Sequence, residues 1–237
     1  LTGSAVNVVF RVRNGDDTPV TSINTAAFSA SAVVNGPTSD YRLDNYYNTS
    51  AVKTAAVYDS GSETFSVRLP QRGGTDPYFP SGNVIPPGAT GTFAVGLQIT
   101  RKVAVPGYGD VSEGDLNPVA YFSVDGSPTK PRRKVVDIET CNTCHDRLAL
   151  HGGSRREVEY CVMCHNPQNV DWNRRPKLGG AGTNVALALT EDGIEERSIN
   201  FRSVVHRLHT GEELEASVHY VIYGYGSSLH FYDEVRF

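Results

Sequence analysis

Apolar and polar positions follow two different patterns along the chain. Through residues 1–133 the apolar positions recur every second residue in short runs. Val6, Val8, Phe10 and Val12 alternate with Asn7, Arg11 and Arg13 before Asn14-Gly15-Asp16-Asp17 turns the chain. Residues 27–34 form a second strand of small residues, closed by Asn35-Gly36-Pro37. Residues 51–58 and 64–69 flank Asp59-Ser60-Gly61-Ser62 and read as a hairpin. Phe93, Val95, Leu97 and Ile99 alternate in a longer strand after Pro86-Pro87-Gly88, and residues 119–124 run into a turn at Asp125-Gly126. Short alternating strands without helical periodicity predict a mainly β fold, a β-sandwich or small barrel over residues 1–133. Asp110, Glu113 and Asp115 read as an acidic, solvated turn within it.

Lys130-Pro131-Arg132-Arg133-Lys134 marks a boundary, and residues 134–237 have another character. Thr140 is placed to cap a helix carrying Cys141, Cys144, His145, Leu148 and Leu150, with Gly152-Gly153 ending it. Asn166-Pro167 stops a second helical stretch, and a Gly-, Pro-, Asn- and Arg-rich loop runs on to Gly182. One amphipathic helix stands out over residues 200–209. Phe201, Val204, Val205 and Leu208 fall on one face, Gly211 ends it, and His206 and His209 lie three apart on a flank.

Net charge is −4 over 237 residues, so no nucleic-acid footprint is present. No apolar run reaches membrane-span length. The chain opens Leu-Thr-Gly-Ser without methionine, as expected if a signal or anchor segment has been removed.

The chemistry lies in the cysteines. All four stand in two C-x-x-C-H units: Cys141, Cys144 and His145, then Cys161, Cys164 and His165. This is the signature of covalent c-type haem attachment, two thiols tethering the porphyrin and the next histidine ligating iron as the proximal ligand. C-x2-C-x16-C-x2-C also fits the spacing of a four-cysteine zinc site. Zinc has no use for a histidine after both pairs, and with seven histidines in the chain that coincidence is roughly one in a thousand. Two disulfides would leave the histidines equally unexplained. Two haems c are therefore expected, each an apolar plate whose burial replaces packed side chains and leaves short helices and little regular structure around it.

The only methionine, Met163, sits between the second cysteine pair, where tethering keeps it off the distal face. Distal ligands come from His151, His206, His209, His219 and His230, which predicts bis-histidine, low-potential haems. His206 and His209 are expected to serve two different haems from one helix. A full coordination shell argues for electron transfer rather than an enzyme with its own substrate. The alternative is a multihaem reductase or haem sensor with one open iron site.

The runs NPVAYFSVDG, RRKVVDIETCNTCHDRLALHGGSR, EYCVMCHNP, VVHRLHTGEEL and YVIYGYGSSLHFYDEVRF resemble the outer-membrane decahaem cytochromes of the OmcA/MtrC family over roughly residues 117–237. The resemblance implies a split β-barrel paired with a multihaem domain at the extracellular or outer-membrane surface. It implies transfer to metal oxides or soluble shuttles, and partners among other multihaem cytochromes, further haem domains or an outer-membrane conduit. A homo-oligomer or filament is a further expectation. It makes Cys141, Cys144, Cys161 and Cys164 attachment sites, His145 and His165 proximal ligands, and His151, His206 and His209 the distal candidates. His219 and His230 read as surface residues. Two C-x-x-C-H units against the family's ten haems imply part of a longer domain or a short two-haem relative.

Overall fold

A computed structural model of the protein describes residues 5–70, 84–178, 184–214 and 219–236; the opening residues 1–4 and the end of the expected loop, 179–182, lie outside them. The chain divides into two compact units, Leu1–Met163 and Cys164–Phe237.

The first unit is built on two antiparallel sheets. One has the order β1 (Asn7–Phe10), β5 (Thr64–Arg68), β4 (Val57–Asp59). The other runs β3 (Tyr47–Thr49), β2 (Phe28–Asn35), β6 (Thr92–Val105), β7 (Gly109–Glu113), with β8 (Val119–Ser123) also paired to β6. Val8, Phe65 and Val67 from the first sheet pack with Ala30, Val34, Phe93, Val95 and Leu97 from the second in one apolar core. The expected sandwich-type β fold is observed, and alternation explains it: Val8 is buried while its neighbour Val9 is 64% exposed.

Three local expectations shift. Residues 51–58 are not one strand. Val52–Ala55 form a short helix, α1, because the chain must cross there from β3 in one sheet to β4 in the other, and Val52 is buried in the core on the way. The Asp110–Asp115 stretch is largely strand β7 rather than a free turn, and the carbonyls of Ser112 and Gly114 accept hydrogen bonds from Arg156. The helix expected from Thr140 begins and ends earlier. It is α2, Ile138–His145, stopped by Asp146 at φ 55°, with Leu148 and Leu150 outside it.

β6 also departs from simple alternation, since Thr92 to Leu97 are buried on both faces. Phe93, Val95 and Leu97 face the sandwich core, and helix α3 (Val158–Cys164) covers the opposite face. Gly96 permits this cover. A Cβ there would stand 2.6 Å from the Tyr160 ring and 3.0 Å from the Met163 sulfur.

The second unit has little regular structure: α4 (Phe201–Thr210), the hairpin of β9 (Val221–Tyr223) and β10 (Leu229–Phe231), and short 3-10 turns. Its α4 follows the predicted bounds closely and ends at Gly211.

Candidate haem-binding site

The first attachment sequence rides on α2. Ile138, the buried first residue, anchors the helix, and Cys141 and Cys144 lie three apart on one side, half-buried and exposed respectively. His145 closes the helix. Arg147 donates to the Gly114 carbonyl at 2.9 Å, Asn117 donates to that of Ser154 at 3.0 Å, and Arg155 donates to Gln98 at 3.1 Å. Buried Arg156 donates to the Gly114 and Ser112 carbonyls, while its own backbone N–H reaches Asn117 Oδ1 at 2.8 Å. Residues 147–156 are thus sewn to β6, β7 and the loop after it.

His151 sits at the tip of a tight turn closed by the Leu150–Arg155 bridge. Its φ is 52°, and Gly152 and Gly153 follow at 71° and 81°. Three successive left-handed residues are what hold this exposed histidine outward, and two of the three being glycine keeps the strain to one residue.

The second attachment sequence lies on α3. In the first unit, Tyr160 and Met163 press onto Gly96, and Asn35 Nδ2 donates to the Met163 carbonyl at 2.8 Å. The lone methionine is therefore a fully buried packing residue. Tyr121 donates its phenol proton to Glu159 at 2.8 Å. Burial and then the Glu159 carboxylate push the Tyr121 pKa upward, so the phenol stays a donor.

In the second unit, Cys164 is buried and His165 half-buried. The His165 Nδ1–H donates to the Ile199 carbonyl at 2.7 Å, and the Phe201 N–H donates to the His165 carbonyl at 2.9 Å. A histidine whose Nδ1 carries the proton keeps its lone pair on Nε2, the tautomer a metal ligand needs. His209 on α4 shows the same arrangement, Nδ1 donating to the Val205 carbonyl at 2.8 Å. His206 is exposed on the same helix. No residue of α4 is fully buried, and Phe201, Val204, Val205 and Leu208 are each only half-covered. An apolar stripe left half-covered, beside ligand-tautomer imidazoles, fits a haem plate. His219 pairs with Asp233 at 2.8 Å, and His230 shares a hydrogen bond with Ser228 at 3.0 Å. No disulfide joins the four cysteines. Among the described residues no three or more His, Cys, Asp or Glu side chains gather into one cluster.

The loop read as irregular holds a buried ionic cluster that the sequence did not announce. Arg175 is fully enclosed and bridges Asp171 at 2.8 Å and Asp192 at 2.6 Å; Arg197 reaches Asp192 at 2.7 Å. Burial works against the Arg175 charge, but hydrogen bonds to Asp192 and Asp171 outweigh it and raise the pKa. Burial likewise opposes the Asp192 charge, and the two arginines override it to hold that carboxyl below its usual range. The i,i+4 spacing of Asp171 and Arg175 was the only sequence signal for it.

Residues 133–228 match the family described as outer membrane cytochrome MtrC/MtrF-like, domains II/IV. That span holds both C-x-x-C-H units and His151, His206 and His209. The multiheme cytochrome MtrC of Shewanella baltica is 26% identical over 178 residues, covering 72% of this chain and 26% of that protein. Both matches show similarity to the MtrC/OmcA cytochromes. The match spans about a quarter of that relative's length.

Proposed function

We propose that this chain is a two-haem module of an extracellular multihaem c-type cytochrome, relaying electrons and carrying out no substrate chemistry of its own. When bound, each haem supplies a reversible one-electron iron couple. Cys141 and Cys144 tether one and Cys161 and Cys164 the other, with His145 and His165 as proximal ligands. His206 and His209 would supply one distal imidazole each, with His151 the remaining distal candidate, so that both irons would be bis-histidine. Residues 1–133 act as the sandwich scaffold and 134–237 as the haem-bearing segment. The observation that carries this reading is His165, whose Nδ1–H is committed to the Ile199 carbonyl, the outer hydrogen bond that orients a ligating histidine. The resemblance to outer-membrane cytochromes supports a place on the outer cell surface. There, partner cytochromes or further haem domains would deliver electrons for metal oxides or soluble shuttles.

The decisive measurement is intact mass. The purified protein should carry two covalent haems, and replacing Cys141 and Cys144 by serine should remove one of them. A mass with zinc and no haem overturns the reading. His206→Ala and His209→Ala should each turn a different haem from low-spin to high-spin. A carbon-monoxide-binding high-spin component in the unmodified protein would instead favour a reductase or sensor with an open iron.

A further inference from the structure

We propose that the buried Asp171–Arg175–Asp192–Arg197 network is a positioning device that lowers the reduction potential of the haem at Cys161/Cys164, by holding the Ile199 carbonyl on the proximal His165 ring. The inference rests on the reading of His165 as proximal ligand.

The connection can be traced bond by bond. Asp171 Oδ1 accepts from Arg175 Nε at 2.8 Å and from the Arg197 backbone N–H at 2.7 Å, while Oδ2 accepts from the Tyr223 N–H at 3.0 Å. Asp192 accepts the fork of Arg175, Nη1 at 2.6 Å and Nη2 at 3.0 Å, and Arg197 Nε at 2.7 Å. Arg175 Nη1 also donates to the Ile194 carbonyl at 3.0 Å. One guanidinium therefore fastens both carboxylates, and through them both ends of residues 192–197. The Asp171 N–H donates to the Arg197 carbonyl and the Ile199 N–H to the Asn169 carbonyl, each at 3.0 Å. With the Val170–Ser198 bridge, this makes a short antiparallel clasp. Its last carbonyl, that of Ile199, receives the His165 proton.

The other strand of the clasp grows from the ligand itself. Asn169 Nδ2 donates to the Cys164 carbonyl at 2.8 Å, and the Asn169 N–H to that of Asn166 at 3.1 Å. Ligand and acceptor are thus tied to the two sides of one clasp, and the ionic network fixes its width. Asp171, Arg175 and Asp192 are sealed from water, so their partners cannot be exchanged for solvent without leaving a buried charge unpaired. A hydrogen bond from Nδ1–H raises the basicity of Nε2, favouring ferric over ferrous iron. Loosening the clasp should weaken that bond and raise the potential.

The test uses the full two-haem protein and a charge-conserving change. Arg175→Lys keeps the cation but loses the planar fork that bridges two carboxylates. In a potentiometric titration, one haem component should rise by about a tenfold change in its one-electron equilibrium, about 59 mV. The other component should stay put, and the His165 Nδ1–H resonance should move upfield as its bond lengthens. Arg197→Lys, at the rim of the network, should shift the same component by less and serves if Arg175→Lys does not fold. Glu195→Gln, an exposed charge in the same segment, should shift nothing. If both lysine variants fold with unchanged potential and unchanged Nδ1–H resonance, the inference is overturned. If the unmodified protein carries no haem on Cys161 and Cys164, the underlying ligand reading falls instead.

Discussion

The two units differ in what fills their largest enclosed positions. In Leu1–Met163 the largest enclosed side chains are apolar or aromatic: Tyr41, Tyr47, Phe65, Phe93, Ile23 and Leu69. In Cys164–Phe237 the largest is Arg175, accompanied by buried Asp171, Asp192 and Asn166. Burying an ion pair stabilises little against a hydrophobic replacement, because desolvation cancels most of the attraction. What such a network does supply is direction: each fork accepts partners at only a few angles. An apolar core suits a scaffold that needs only to be solid. A directional core suits a segment proposed to hold an imidazole at one orientation while a haem would provide the apolar bulk.

The sharpest way to break the comparison is to empty one core at a time. Phe93→Ala removes a fully buried ring that packs 6.4 Å from Phe122, centroid to centroid, and should cost about 4 kcal/mol. Denaturant unfolding should show the loss in the strand signal, and haem bound to Cys164–Phe237 residues should respond less. A uniform loss across both signals would mean the two units unfold as one.

Arg175→Ala attacks the other core and should cost about 3 kcal/mol, since Asp171 is left buried without its ion-pair partner and Asp192 keeps Arg197 as its one arginine. Acid should imitate it. The Asp192 carboxyl titrates lower folded than its ordinary value near 3.9, so its contribution is complete above that value and is lost as pH falls below it. Unfolding followed between pH 6 and pH 3 should therefore weaken the second unit below about pH 4. In Arg175→Ala that acid-dependent step should shrink. An acid profile identical in the two proteins would remove the network from the account of stability.

These two cores also explain what the sequence disclosed. Val8 in and Val9 out, or Phe65 and Val67 on one face of β5, follow a period of two that any reader of the chain can see. The α4 stripe shows the helical period with equal clarity. The cysteines and their histidines were legible because the attachment proposed for them requires fixed residue types at fixed spacing. Asp171, Arg175, Asp192 and Arg197 were not, because buried charges carry no periodicity and look like solvated loop. The Ile199 carbonyl was invisible for a simpler reason: a backbone acceptor has no letter of its own. Gly96 was hidden too, since its role depends on Tyr160, far away in the sequence.

Gly96→Val probes where the apolar core borrows from the attachment helix. The new side chain would enter the Tyr160 ring and the Met163 sulfur, with an overpacking cost of about 2 kcal/mol. Mass spectrometry should show haem loading at Cys161/Cys164 falling more than at Cys141/Cys144. Tyr160→Leu in the same chain should restore part of both stability and loading, because it vacates the space the valine needs. No rescue would place the strain in the strand rather than at the helix contact.

The smallest effect is expected from Tyr121→Phe, and it refines the comparison at a single bond. Tyr121 lies on β8 and Glu159 on the first turn of α3, so their 2.8 Å hydrogen bond is a directional tie in a unit whose largest enclosed side chains are apolar or aromatic. Phenylalanine keeps the ring and its packing and removes only the donor. Glu159 is half-buried, so water can take over part of the bond, and the loss should be about 1 kcal/mol. The phenol is held protonated by burial and by the carboxylate, so the loss should be the same at pH 6 and pH 9. The pH dependence separates the explanations. If the tie were a tyrosinate paired with a distant cation, stability of the unmodified protein would change on the way to pH 9 and the mutant would not follow it. A flat difference of about 1 kcal/mol identifies a neutral donor on a carboxylate. That would make the tie a short-range guide for α3 within an interior that apolar packing already holds.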